Sequence, residues 1–128
     1  METKKELGVA IAGIGFGEKV HLTALQANPN FHPIALWHPR LEALNDSCKK
    51  HNLKAYSDWS SLLNNHNIEA IIIATPPKPR FQLALEALEA GKHLLLEKPV
   101  ALNSNQVEEL QRTALKQNLS VAVDYEYR

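Results

Sequence analysis

The chain has 128 residues, 45% of them apolar and 22% charged, the proportions of an ordinary globular domain. Fourteen basic and fourteen acidic residues cancel, so no bulk charge would recruit nucleic acid or an anionic membrane. One core is expected at this length, burying roughly two thirds of the unfolded surface, and the single cysteine, Cys48, excludes an intramolecular disulfide and fits a reducing compartment.

No apolar run approaches the roughly 18 residues of a membrane span. The six histidines are scattered, with no carboxylate or thiol at metal-ligand spacing, so no metal site is expected. Lys4-Lys5 before an apolar run has the outline of a signal peptide, but glycines interrupt the run and no cleavage-like site follows. A cytoplasmic location is the resulting expectation.

Strand and helix patterns alternate along the chain. Gly8–Gly13 reads as a first strand, Gly13-Ile14-Gly15-Phe16-Gly17 as a turn, and Glu18–Ala27 as a helix stopped by Asn28-Pro29. Pro33–Trp37 is a second strand, apolar as a strand covered on both faces should be. Leu41–His51 reads as one helix whose buried face carries Leu41, Leu44 and Cys48. Lys54–Tyr56 is a short third strand, and Asp58 caps a brief helix through Asn64.

The fourth strand, Ala70–Ala74, is the most apolar run and ends in Thr75-Pro76-Pro77. The helix after it carries Phe81, Ala84, Leu85 and Leu88 on one face, with Gly91 as its cap. His93–Leu96 is a fifth strand, followed by a loop with Glu97-Lys98-Pro99. Asn103 with Gln106 forms a capping box for a helix to about Asn118, and Val121–Val123 is a sixth strand.

This alternation predicts an α/β fold, a doubly wound parallel sheet of about six strands. In the order 3-2-1-4-5-6, the glycine turn and the Thr75-Pro76-Pro77 turn lie side by side at the crevice where such sheets bind ligands. A short strand, a glycine turn and a helix N-terminus suit a dinucleotide pyrophosphate: the glycines allow a tight turn and close approach, and the helix amides face the anion. In the usual Gly-x-Gly-x-x-Gly spacing the third small residue would fall at Glu18, with Gly17 one place early.

The tip of the second strand should read the adenosine ribose. An acid there favours NAD, but this chain has Trp37-His38-Pro39-Arg40. A 2′-phosphate could pair with Arg40, helped by His38, so NADP is preferred over NAD. The plainer alternative makes Arg40 the solvated first residue of the next helix.

Together these segments resemble the Gfo/Idh/MocA family of NAD(P)-dependent oxidoreductases. The resemblance lies in Gly13–Gly17 with His21 downstream, in Ala74-Thr75-Pro76-Pro77, and most specifically in the run from Glu86 to Pro99, which ends in Glu97-Lys98-Pro99. It implies that residues 1–128 are a Rossmann domain. Gly13, Ile14, Gly15, Phe16 and Gly17 would hold the pyrophosphate, and Thr75, Pro76 and Pro77 would line the dinucleotide. Glu97 would lie near the nicotinamide ribose, and Lys98 would be the catalytic lysine that assists hydride transfer. A surface role for Lys98 and a capping role for Glu97 are the structural alternatives.

The implied reaction moves a hydride between the nicotinamide and a sugar, cyclitol or related carbinol or carbonyl compound. Relatives continue into a second domain that binds this small-molecule substrate and supports homo-oligomers; neither nucleic acid nor membrane is an expected partner. The rival class is a non-catalytic NAD(P)-binding sensor or regulatory module. Departures from the family pattern are Glu18, the missing acid at strand two, Arg80 where many relatives carry histidine, and the loosely matching segment Asp124–Arg128.

Overall fold

The structure is a computed structural model, and it describes residues 6–13, 16–97 and 103–124. Among them, strands and helices alternate in the order β1 (Leu7–Ala12), α1 (Phe16–Gln26), β2 (Phe31–Trp37), α2 (Asn45–His51), β3 (Lys54–Tyr56), α3 (Trp59–Leu63), β4 (Ala70–Ile73), α4 (Pro77–Glu89), β5 (His93–Glu97), α5 (Ser104–Gln117) and β6 (Val121–Asp124). A 3₁₀ turn, Leu41–Ala43, precedes α2.

All strand pairings are parallel, and the sheet order is β3-β2-β1-β4-β5-β6. This is the expected doubly wound α/β sheet. Its order reverses between β1 and β4, where Ala12 stands beside Ile73 on one side and Trp37 on the other. No helix among the described residues is long and apolar enough to cross a membrane.

Strand side chains alternate between two apolar layers, as a sheet covered on both faces requires. Ile71 and Ile73 of β4, with Leu94 and Leu96 of β5, pack with Ala84, Ala87 and Leu88 of α4 and with Leu110 and Ala114 of α5. Ile72, with Val9 and Ile11 of β1, packs toward Leu22 and Leu25 of α1 and Leu44 and Cys48 beyond. On the α1 side an apolar groove of about 430 Å³ remains, lined by residues including Val9, Leu25, Ile72, Leu95 and Ala122.

Local chemistry explains the element ends. Asp58 accepts the Ser61 N–H at the start of α3, and Asn103 accepts the Gln106 N–H at the start of α5. α4 opens with Pro77 at its first position, where a missing N–H costs no helical bond. Gly91, at φ +85°, follows the α4 C-cap residue Ala90.

Three expectations are corrected. α1 begins at Phe16, so Phe16 and Gly17 belong to its first turn rather than to the turn before it. The predicted helix Leu41–His51 is broken: the 3₁₀ turn swings Leu41 to the surface, 45% exposed, while Leu44 and Cys48 stay buried. β2 starts at Phe31 and takes in Pro33; the register slips there, with Val9 opposite Pro33 but Ala10 opposite Ala35. Proline has no N–H for the ladder, so Ile34 is accommodated as the extra residue of a bulge.

Candidate functional site

The carboxyl ends of the strands form one rim, and the unusual turns of the sequence lie along it. Gly13 leaves β1 at φ +115°, a conformation that side chains rarely adopt. Its N–H donates to the Trp37 carbonyl at 2.9 Å, and a Cβ there would stand 2.9 Å from the Ala74 carbonyl oxygen. Ala74 in turn donates its N–H to the Ala12 carbonyl at 2.9 Å. The exits of β1 and β4 therefore touch backbone to backbone. The first turn of the eleven-residue α1 opens three residues after Gly13.

The second turn is equally well held. Thr75 is 5% exposed, and its hydroxyl donates to the Pro76 carbonyl at 3.3 Å; Pro76 is exposed and caps α4. One turn into α4, Arg80 is only 4% exposed. Its Nη1 donates to the Glu97 carbonyl at 2.6 Å, and its Nη2 donates to the Thr75 carbonyl. Burial pushes the Arg80 pKa below the ordinary arginine value, and the Glu97 carboxylate partly opposes that shift.

Glu97 is the last residue of β5 rather than a loop residue. Its Oε1 lies 2.5 Å from Nε2 of His21, which is buried on α1 at 7% exposure. Backbone register sets Asp124 of β6 opposite Glu97. Thus α1, α4 and β5 are joined at one carboxylate residue.

At the tip of β2, His38 donates its N–H to the Tyr56 carbonyl at 3.1 Å, and its Nδ1 accepts the Arg40 N–H at 3.0 Å. An Nδ1 that accepts a hydrogen bond carries no proton, so the neutral ring has its N–H at Nε2. Arg40 is exposed just before the 3₁₀ turn. His38 and Arg40 are thus neighbours beside the Gly13 turn, on the far side from Glu97.

Gly13, Thr75 and Pro76 are brought together at the switch point, with the backbone of Phe16, Gly17 and Pro77 in the first turns of α1 and α4. Ile14, Gly15 and Lys98 lie outside the described residues. Sequence reasoning assigned no role to Arg80 or His21. Arg80 stood out only as a departure from a pattern, and His21 meets Glu97 across 76 residues of chain.

Residues 7–125 match the profile of the Gfo/Idh/MocA oxidoreductase family, described as an NAD-binding Rossmann fold. The chain belongs to this family. An uncharacterized oxidoreductase of Synechocystis is 36% identical over the whole chain, which covers 35% of that protein. A levoglucosan dehydrogenase of Pseudarthrobacter phenanthrenivorans is 30% identical over 97% of the chain and 34% of its own length. The crystal structure of an NAD-binding protein from Listeria innocua superposes with a TM-score of 0.86 at 29% identity, over 93% of this chain and 35% of that one.

The chain thus spans about a third of the length of the relatives it matches. As a Gfo/Idh/MocA Rossmann domain it carries a nicotinamide dinucleotide site, NAD or NADP. The switch-point geometry suits that ligand. At Gly13 there is no room for a Cβ beside the Ala74 carbonyl, and the N-terminus of α1 opens three residues on.

Proposed function

We propose that this chain is the cofactor-binding part of an oxidoreductase that moves a hydride between a nicotinamide dinucleotide and a sugar, cyclitol or related carbinol or carbonyl compound. The observation that carries the reading is that the Ala74 carbonyl leaves no room for a Cβ at Gly13, so that Gly13 and the Thr75-Pro76-Pro77 turn lie at the same strand ends. Bound there, the dinucleotide supplies the hydride donor or acceptor.

In this reading Gly13, Ile14, Gly15, Phe16 and Gly17 surround the pyrophosphate, and Thr75, Pro76 and Pro77 flank the dinucleotide beside it. Glu97 stands at the nicotinamide ribose. Lys98, the next residue, gives or takes a proton at Nζ beside the reacting carbon. NADP is preferred, because Arg40 and the Nε2–H of His38 offer charge and a donor to a 2′-phosphate while no acid repels it. A sugar-like substrate is supported by the relative named levoglucosan dehydrogenase. Substrate contacts and homo-oligomer formation belong to the further length those relatives possess. A cytoplasmic location completes the proposal.

The test is a titration with NADPH and NADH, followed by nicotinamide fluorescence. Tighter binding of NADPH, with the preference abolished in Arg40→Asp, is the expected result. Binding of neither would overturn the cofactor reading; equal affinities unchanged by Arg40→Asp would remove the phosphate site alone.

A further inference from the structure

Arg80 is a buried guanidinium whose fork reaches two backbone carbonyls at two different strand exits, Thr75 after β4 and Glu97 at the end of β5. A buried charge is a poor way to add stability, since removing it from water offsets much of what its bonds return. A methionine or leucine would fill the same space without that penalty. What only arginine provides is geometry: a rigid planar fork that fixes two acceptors relative to each other, whereas a lysine ammonium on its flexible stem sets no fixed relation between the acceptors it serves.

The residue so fixed is held from a second direction. His21, on the helix that follows the glycine turn, touches the Glu97 carboxylate at 2.5 Å. The backbone of Glu97 is thus set by α4 and its side chain by α1, and the next residue in the chain is Lys98. We infer that Arg80 is a positioning residue for the nicotinamide end of the site: it locks the β5 exit to the Thr75 turn, with His21 bracing Glu97 from the pyrophosphate side. The inference rests on the cofactor reading proposed above. The competing account makes Arg80 a staple between α4 and β5 with no bearing on the ligand.

The two accounts separate when the ligand is divided. The chain is titrated with the tighter-binding dinucleotide and with the same molecule lacking nicotinamide, ADP-ribose or its 2′-phosphate; thermal midpoints are recorded in parallel. In the unaltered chain the dinucleotide binds more tightly than the truncated ligand. In Arg80→Met that advantage falls about tenfold, the scale of one hydrogen bond to a charged group, while affinity for the truncated ligand is unchanged. In Arg80→Lys it falls by less.

A parallel loss of both affinities that follows the thermal midpoint, with the advantage intact, overturns the positioning role. So does equal binding of both ligands by the unaltered chain, although the cofactor reading then stands. Failure of the unaltered chain to bind either ligand overturns the cofactor reading and this inference with it. Should Arg80→Met not fold, Arg80→Lys decides: an undiminished advantage sinks the inference, and a narrowed one supports it.

Discussion

His21 Nε2 lies 2.5 Å from Glu97 Oε1, joining a helix near the amino end of the chain to the last residue of β5. Both groups are largely withdrawn from water, with side-chain exposures of 8% and 15%. A hydrogen bond between partly buried groups is costly to leave half-made. His21→Leu is therefore expected to lower unfolding free energy by roughly 1–3 kcal/mol. Urea denaturation at neutral pH checks it, and a change below about 0.5 kcal/mol, the range of ordinary surface substitutions, would contradict it.

The glycines differ in what they can lose. A Cβ at Gly8 would meet the Asn67 carbonyl oxygen at 2.0 Å and Ile34 Cδ1 at 2.6 Å, whereas one at Gly91 meets nothing within 4 Å. Gly13 combines positive φ with a Cβ position only 2.9 Å from the Ala74 carbonyl oxygen. The expected order of destabilisation by alanine is Gly8 above Gly13 above Gly91, the last costing about 1 kcal/mol for its left-handed backbone. Only Gly13→Ala should also weaken dinucleotide binding. Chemical denaturation ranks the three variants and a cofactor titration isolates the second.

Lys92 is 5% exposed, and its Nζ donates to the carbonyls of Ile68 at 2.6 Å and Asn65 at 3.0 Å. Lys92→Met should cost roughly 1–3 kcal/mol by leaving buried acceptors short of a donor. Burial lowers the Lys92 pKa below the ordinary lysine value of 10.5, and Glu69 partly opposes the shift. Between the lowered value and 10.5 the unfolded chain holds more protons, so rising pH favours the folded state there. The stability of the unaltered chain should therefore rise with pH, relative to Lys92→Met, as pH approaches 10.5 from below. A flat difference between the two urea profiles would refute it.

The groove on the α1 side is wide and apolar, about 430 Å³ in volume. An environment-sensitive apolar dye should brighten on binding there. Ala122 is exposed at its edge, so Ala122→Glu should reduce that signal while changing stability by no more than about 0.5 kcal/mol. Equal dye emission from both proteins would place the binding elsewhere.

The fold was legible because a parallel sheet must hide both faces. That requirement writes continuous apolar runs such as Ala70–Ile73 between helical periods, and the glycine and Thr-Pro-Pro turns mark where the order reverses. What stayed hidden were effects that pair distant residues or shift a helix locally. Leu41 has the right spacing for a core helix, but spacing does not reveal that the first turn winds as 3₁₀. His21 and Arg80 were visible in the sequence only as a motif match and a departure, and only folding shows that both reach Glu97. Pro33 signalled a strand start, whereas the bulge at Ile34 lets the strand run through it.

Lys92, Asn65, Ile68, Gly8 and Asn67 all sit at the amino ends of the strands, the rim opposite the crevice. The tightest backbone approach and a buried ammonium are concentrated there, on the rim opposite Gly13 and Thr75. Such a division gives the chain evolutionary latitude. The exposed Arg40, at the tip of β2, can be exchanged without disturbing these contacts.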